Sequence, residues 1–189
     1  MNDRSRRMDD LGWYVEKEIP HLRRFAKSLC RSAEEGDDLV QDTLERAWSK
    51  RHQWRRDGSV RSWLFRILYR LFLNSRRGTK RSPEEIDDET LADPKHAHTT
   101  PQEAQLMANE MSRALAALPH EQRAAVVLIA LEGASYDEAA SMLDIPIGTL
   151  RSRLFRGREA LRETIDRDAI DREETDTVRP MPARLRRVK

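Results

Sequence analysis

Between Gly148 and Arg162 the sequence places five arginines, Arg151, Arg153, Arg156, Arg158 and Arg162, against a single glutamate. Guanidinium groups in such a cluster can fork onto guanine edges or hold phosphates. The residues just upstream supply what a DNA-reading helix needs. Ser135 can cap a short helix over 136–143, in which Ala139 and Ala140 allow a close helix crossing. Asp144-Ile145-Pro146 gives a tight turn, and Asp tolerates a left-handed backbone better than most residues. A second helix opens at Gly148-Thr149, with Leu150, Leu154, Gly157 and Leu161 on one face. This is the pattern of a helix-turn-helix, whose second helix enters the major groove. With Leu150 turned to the core, Ser152, Phe155 and Arg156 point outward, and Thr149, Arg151, Arg153 and Arg158 flank them. A solvated basic helix in an ordinary bundle is the plainer alternative.

A second group, Trp54, Arg55, Arg56, Arg61, Trp63, Arg66 and Arg70, interleaves aromatics with arginines. Unstacked bases lie on aromatic rings while guanidinium groups follow the backbone, so the group suits single-stranded DNA. Tryptophan near helix ends also serves as half-buried packing, and an arginine face can simply be solvated. A third group is acidic: in GDDLVQDTLERAW, Asp38, Gln41, Asp42 and Glu45 share one helix face. That face reads either as a docking surface or as a solvated one. Asp37 and Asp38 diverge by about 100° on a helix and do not converge on one metal ion. His96 and His98 are isolated, Cys30 is the one cysteine, and no phosphate-binding glycine loop, nucleophile elbow or zinc-protease helix occurs. No catalytic constellation, metal site or cofactor is expected.

The elements that must carry these groups are helices. Apolar residues recur at helical spacing in 15–29 (Ile19, Leu22, Phe25, Ala26, Leu29), with a start or kink expected near Pro20. They recur in the segment opening at Gly36-Asp37-Asp38, through Leu39, Thr43, Ala47 and Val40, Leu44, Trp48. In 61–77 the stripe is Leu64, Ile67, Leu68 and Leu71, leaving Trp63, Arg66, Arg70, Asn74 and Arg77 opposite. A second lobe begins with an amphipathic helix over 102–118, followed by a nearly continuous apolar helix over 121–131 that should be central. No strand-like alternation of useful length intervenes, so the fold class is all-α, two small helical domains joined by a linker. The lobes are 10–78 and 102–165. The linker, 79–101, holds Pro83, Pro94, Pro101 and an acidic run and reads as a flexible tether, and 166–189 reads as an unstructured tail.

The net charge of +2 conceals this organisation. Residues 1–81 carry 20 basic against 12 acidic side chains, whereas 82–104 carry 1 against 7. Local fields of opposite sign govern encounters with nucleic acid more than the total does. At 36% charged and 38% hydrophobic residues, any core is thin, which disfavours a large enzyme fold with a deep pocket. No stretch is apolar enough to span a membrane and no secretory leader opens the chain, so a cytoplasmic protein without membrane insertion is expected.

These residues, in this order, resemble the extracytoplasmic-function sigma factors of bacterial RNA polymerase, over residues 10–165. Asp37 to Trp48 is similar to the family's region 2.2. The resemblance implies docking on the β′ coiled coil through Asp38, Gln41, Asp42, Glu45 and Arg46. Ser62-Trp63-Leu64-Phe65-Arg66-Ile67 resembles the regions that melt and read the minus-ten element. That adds Asn74 and Arg77 to Trp54, Arg55, Arg56, Arg61, Trp63, Arg66 and Arg70. Pro146 to Leu154 resembles region 4.2, which implies minus-thirty-five binding by Thr149, Arg151, Ser152, Arg153, Phe155, Arg156 and Arg158. The implied partners are core polymerase, including its β flap, promoter DNA and an anti-sigma factor. A helix-turn-helix regulator that works without polymerase, and a sigma mimic that sequesters a partner, remain as alternatives.

Overall fold

In the computed structural model, residues 3–30, 32–54, 59–78 and 101–177 are described, and they form helices and connecting turns without strands. The first lobe comprises α1 (Asp3–Leu29), α2 (Ala33–Ser49), a short 3₁₀ turn (Arg51–Gln53) and α3 (Val60–Gly78). The second comprises α4 (Pro101–Ala117), α5 (His120–Ala130), α6 (Tyr136–Leu143) and α7 (Ile147–Thr177).

Helix α1 runs through Pro20 without ending, so that position is neither its start nor a break. Helix α2 begins earlier than Gly36-Asp37 suggests: Ser32 is its N-cap, with its hydroxyl accepting from Glu35 N–H at 3.1 Å. Gly36 lies buried inside the helix because α1 crosses there. A Cβ at Gly36 would stand 3.0 Å from Lys27 Cγ and 3.1 Å from its backbone nitrogen. Beside this crossing, Asp37 lies 3.5 Å from both Arg23 and Lys27. Trp48, expected in the buried stripe, is instead half exposed and stacked under Arg51, which donates to the Trp48 carbonyl at 2.9 Å and so closes the C-terminal end of α2. In α3 the fully buried face is Leu64, Phe65, Leu68, Tyr69 and Phe72, while Ile67 and Leu71 are only partly covered. Aromatic contacts tie it together, with Phe25 5.3 Å from Phe65 and Tyr69 6.2 Å from Phe72 between ring centroids.

The second lobe follows its sequence pattern closely. Ala124 to Leu128 are all buried in α5. Gly157 in α7 is buried against it, and a Cβ there would lie 2.8 Å from Val126 Cγ2, which fixes how near the two helices pass. Helix α7 continues to Thr177, so the backbone beyond Ile165 is helical where an unstructured tail was expected. The linker residues 79–100 lie outside the described residues.

The two lobes also pack on one another. Here α3 lies against α6, α1 against α5, and one continuous apolar cluster includes Phe25, Leu64 and Phe72 from the first lobe and Leu118, Val127 and Leu143 from the second. The Phe72 and His120 rings meet edge to face at 5.7 Å across this junction.

Candidate nucleic-acid interface

The helix-turn-helix is built from local signals that agree with one another. Ser135 and Glu138 form a reciprocal capping box: the Ser135 hydroxyl accepts from Glu138 N–H at 3.3 Å, and the Glu138 carboxylate accepts from Ser135 N–H at 2.9 Å. The Ser135 backbone N–H first, and its hydroxyl second, hold the Glu138 carboxyl below its ordinary pKa. At the other end of α6, Asp144 takes a left-handed backbone, φ 56°, and ends the helix there. Its backbone N–H turns back to the Ala140 and Ser141 carbonyls. Helix α7 then buries Leu150 and Leu154 and leaves Arg151, Ser152, Phe155, Arg156 and Arg158 exposed, with Thr149 half-buried. Phe155 is the most exposed large apolar side chain in the described residues, at 67%. A ring in that position suits contact with a thymine methyl in a groove. Arg153 was expected on the flank of this face. It is half-buried, close enough to Tyr69 of α3 that its charge opposes the effect of burial, which dominates and pushes the Tyr69 phenol pKa up.

The acidic face of α2 is open. Asp38, Gln41, Asp42, Glu45 and Arg46 are all exposed, and within this face the Gln41 amide donates to Glu45 at 3.1 Å.

The basic face of α3 is treated differently. Arg61 donates from Nη2 to the Glu132 carbonyl at 2.6 Å and to its carboxylate at 3.1 Å, with Glu18 of its own lobe 3.7 Å away. Arg66 donates to the Ser141 carbonyl at 2.8 Å and hydroxyl at 2.6 Å, and Arg70 donates to the Asp144 carboxylate at 2.7 Å. The Arg70 contact, more than any other, holds the Asp144 carboxyl below its usual range. Trp63 and Trp54 are half-buried against the core, Asn74 and Arg77 are exposed, and Arg55 and Arg56 lie outside the described residues.

Glu132 is the centre of this contact, and sequence reasoning missed it. Its carboxylate has no solvent exposure, and it accepts from Arg24 Nε at 3.0 Å and Nη2 at 3.3 Å as well as from Arg61. His21 Nδ1 lies 2.6 Å from the same carboxylate and 2.8 Å from Arg24 Nη2. Removing a carboxylate from water costs several kcal/mol, and charge-assisted hydrogen bonds return roughly 1.5–3 kcal/mol each, so the arrangement holds only with all its donors in place. By contrast the Arg70–Asp144 pair is about half exposed and contributes at most ~1 kcal/mol. A second clasp lies nearby. Arg123, a lone cation in the apolar α5, donates to Ala116 and Leu118 carbonyls at the end of α4 and to Ser28 of α1 at 3.0 Å. Burial pulls its pKa down. Its isolation in an apolar run was the signal that could have marked it.

An all-α chain with an exposed acidic helix face, an arginine-bearing helix and a capped helix-turn-helix has the construction of a bacterial sigma factor. The family model for the Sigma2 domain of PhyR matches residues 15–69, and the model for Sigma-70 region 4 matches residues 108–161. The ECF RNA polymerase sigma factor EcfG of Rhodopseudomonas palustris (strain TIE-1) is 37% identical over 163 residues, covering 85% of this chain and 88% of its own. Among solved structures, the sigma factor RpoE of Bartonella quintana, in complex with the anti-sigma factor NepR, superposes with a TM-score of 0.64 at 30% identity, over 83% of this chain and 97% of its own. CnrH in complex with the cytosolic domain of CnrY gives 0.64 at 26%, over 85% and 90%. The chain belongs to the extracytoplasmic-function sigma factors of the sigma-70 family. No helix among the described residues is long and apolar enough to cross a membrane.

Proposed function

We propose that this sigma factor docks on core RNA polymerase through the acidic face of α2 and directs it to promoters read by two surfaces. Asp38, Gln41, Asp42, Glu45 and Arg46 meet the β′ coiled coil. Trp54, Arg55, Arg56, Arg61, Trp63, Arg66, Arg70, Asn74 and Arg77 hold the melted minus-ten strand. Arg151, Ser152, Phe155, Arg156 and Arg158, with Thr149 and Arg153 at the edge, read the minus-thirty-five duplex. The observation that carries the reading is the joint presence of an exposed acidic strip on α2 and an exposed basic, Phe155-bearing face on α7 of a helix-turn-helix. Region 4 would read intact base edges, while region 2 would capture bases that have left the stack and so offset a few kcal/mol of unstacking per step. The chemistry of transcription belongs to the polymerase, and this chain supplies specificity. An anti-sigma partner is part of the reading because the similar RpoE and CnrH chains were solved bound to NepR and to the CnrY cytosolic domain.

Run-off transcription with purified core enzyme on genomic fragments tests the proposal. Promoter-dependent transcripts are expected with the protein and not without it, and their absence from every fragment would refute the reading. A second reading, a sigma mimic that sequesters a partner, draws on the match of the first lobe to the PhyR Sigma2 domain. It requires no transcript and full activity after Arg151, Arg156 and Arg158 are changed to Ala. The sigma reading requires that this triple variant lose promoter-directed transcripts.

A further inference from the structure

The exposed arginines of α7 are not alike. Arg156 and Arg158 make no hydrogen bond, ion pair or ring contact among the described residues, and Arg162 donates to the Glu159 carboxylate at 3.1 Å. Arg151 differs from all three: its guanidinium carbon lies 5.9 Å from the centre of the Tyr136 ring on α6. That is inside the distance of about 6 Å at which the face of an aromatic ring attracts a cation. The turn before α6 places the ring. Tyr136 is the first residue of the helix, directly after Ser135, and the capping box between Ser135 and Glu138 fixes the backbone on either side of it. The side chain is 39% exposed and stands outside the apolar cluster, and its hydroxyl has no hydrogen-bond partner among the described residues. Core packing therefore does not account for a tyrosine at this position.

We propose that Tyr136 is a positioning residue for duplex recognition by α7, its ring holding the Arg151 guanidinium in place before DNA arrives. The inference rests on the minus-thirty-five reading of α7 given above and adds to it a residue of the other helix that acts on DNA only through Arg151. A ring holds a guanidinium differently from a carboxylate. An ion pair neutralises the charge and occupies N–H donors, as Glu159 does for Arg162. A ring leaves the charge and the N–H donors available to a base edge or a phosphate. An arginine loses rotamer freedom on binding, and one already ordered loses less of it. Arg151 is the first arginine of α7, near the end of a recognition helix that meets base edges, so it is the arginine for which prior ordering matters most. The aromatic face carries this role and the hydroxyl does not. Phenylalanine should therefore substitute for Tyr136, whereas an apolar side chain without a π face should not.

The test is a double-mutant cycle on holoenzyme assembled from core polymerase and the full chain. Affinity for a promoter fragment recovered in the run-off assay is measured at fixed salt. The parent is compared with Tyr136→Phe, Tyr136→Leu, Arg151→Ala and the combination of Tyr136→Leu with Arg151→Ala. Arg151→Ala is expected to weaken binding by about tenfold. Tyr136→Leu should weaken it by about two- to fivefold, the worth of an exposed cation–π contact, while Tyr136→Phe keeps the parent affinity. In the Arg151→Ala background Tyr136→Leu should change nothing further. Thermal melts of the free variants establish that each is folded, and Tyr136→Gln carries the test if Tyr136→Leu is not. A Tyr136→Leu loss that persists in the Arg151→Ala background, or an equal loss in Tyr136→Phe, would overturn the inference, because the tyrosine would then act on DNA directly. Parent-like binding by Tyr136→Leu beside a weakened Arg151→Ala would overturn it and leave the α7 reading standing. Parent-like binding by Arg151→Ala would overturn it as well, and would place the failure in the α7 reading itself.

Discussion

The first lobe presents two charged faces, and the folded chain leaves one open while engaging the other. On α2, Asp38, Gln41, Asp42 and Glu45 stand in solvent, tied only within the face by Gln41 and Glu45 among the described residues. On α3, Arg61, Arg66 and Arg70 each reach an acceptor some seventy residues away in sequence. Both faces belong to amphipathic helices with similar apolar stripes, so patterning alone gives them equal standing. What separates them is the charge just past the ends of α5 and α6: Glu132 and Asp144 attract the arginines and would repel the acidic face. The difference shows that exposure of a functional face depends on what the rest of the chain offers it.

The largest effect expected from breaking this comparison is at the open face. Asp38→Lys with Asp42→Lys should weaken binding to core polymerase by about 100-fold or more, as charge reversal at a docking surface costs several kcal/mol. The melting curve should move little, because exposed side chains away from a core change stability by about 0.5 kcal/mol or less. A binding titration and a thermal melt on the same samples check both. Next in size are the two helix crossings, one in each lobe. Gly157→Ala forces a methyl group against Val126 and should cost roughly 1–3 kcal/mol in denaturant unfolding. Gly36→Ala meets the Lys27 backbone, yet recovers about 1 kcal/mol of helix propensity, so it should cost less than Gly157→Ala. Ser135→Ala removes one half of the capping box and should cost about 1 kcal/mol.

The helix-turn-helix was legible from sequence because its signals are local: a serine cap, small residues in α6, and an Asp able to take the left-handed turn. The acidic face of α2 was legible for the same reason. Three features were not. Gly36 before two aspartates reads as a helix start, and only the passage of α1 shows that it is an interior crossing capped earlier by Ser32. The buried side of α3 is Leu64, Phe65, Leu68, Tyr69 and Phe72, but Ile67 and Leu71 repeat at helical spacing as well, so the period of 61–77 allows two overlapping stripes and packing against α1 and the second lobe selects between them. Glu132 reads as a solvated residue at the end of an apolar helix. Its partners His21, Arg24 and Arg61 lie far away in sequence, and long-range pairing leaves no repeat.

Titration supplies a smaller contrast. His120, at the lobe junction, is held below 6.5 chiefly by burial, with Arg76, Arg123 and Arg153 acting in the same direction and Glu121 against it. A folded pKa below the unfolded one means that stability is fully present above about pH 6.5 and declines as pH falls through the folded value. His120→Gln should flatten that decline in a series of melts between neutral and mildly acidic pH. The carboxyls of Glu138 and Asp144, both held low, contribute stability above their unfolded values of 4.5 and 3.8. Their contribution is lost only as pH falls below that range, through the folded values.

The claim that the α2 face is free while the α3 face is engaged by the second lobe is tested most directly by titrating core RNA polymerase into a Cys30→Ser chain carrying donor and acceptor dyes at Glu16→Cys and Glu163→Cys, exposed sites in different lobes. The account predicts that energy transfer falls to a low plateau as polymerase saturates, and that Asp38→Lys with Asp42→Lys abolishes the change. Saturable binding of polymerase with energy transfer unchanged would contradict it.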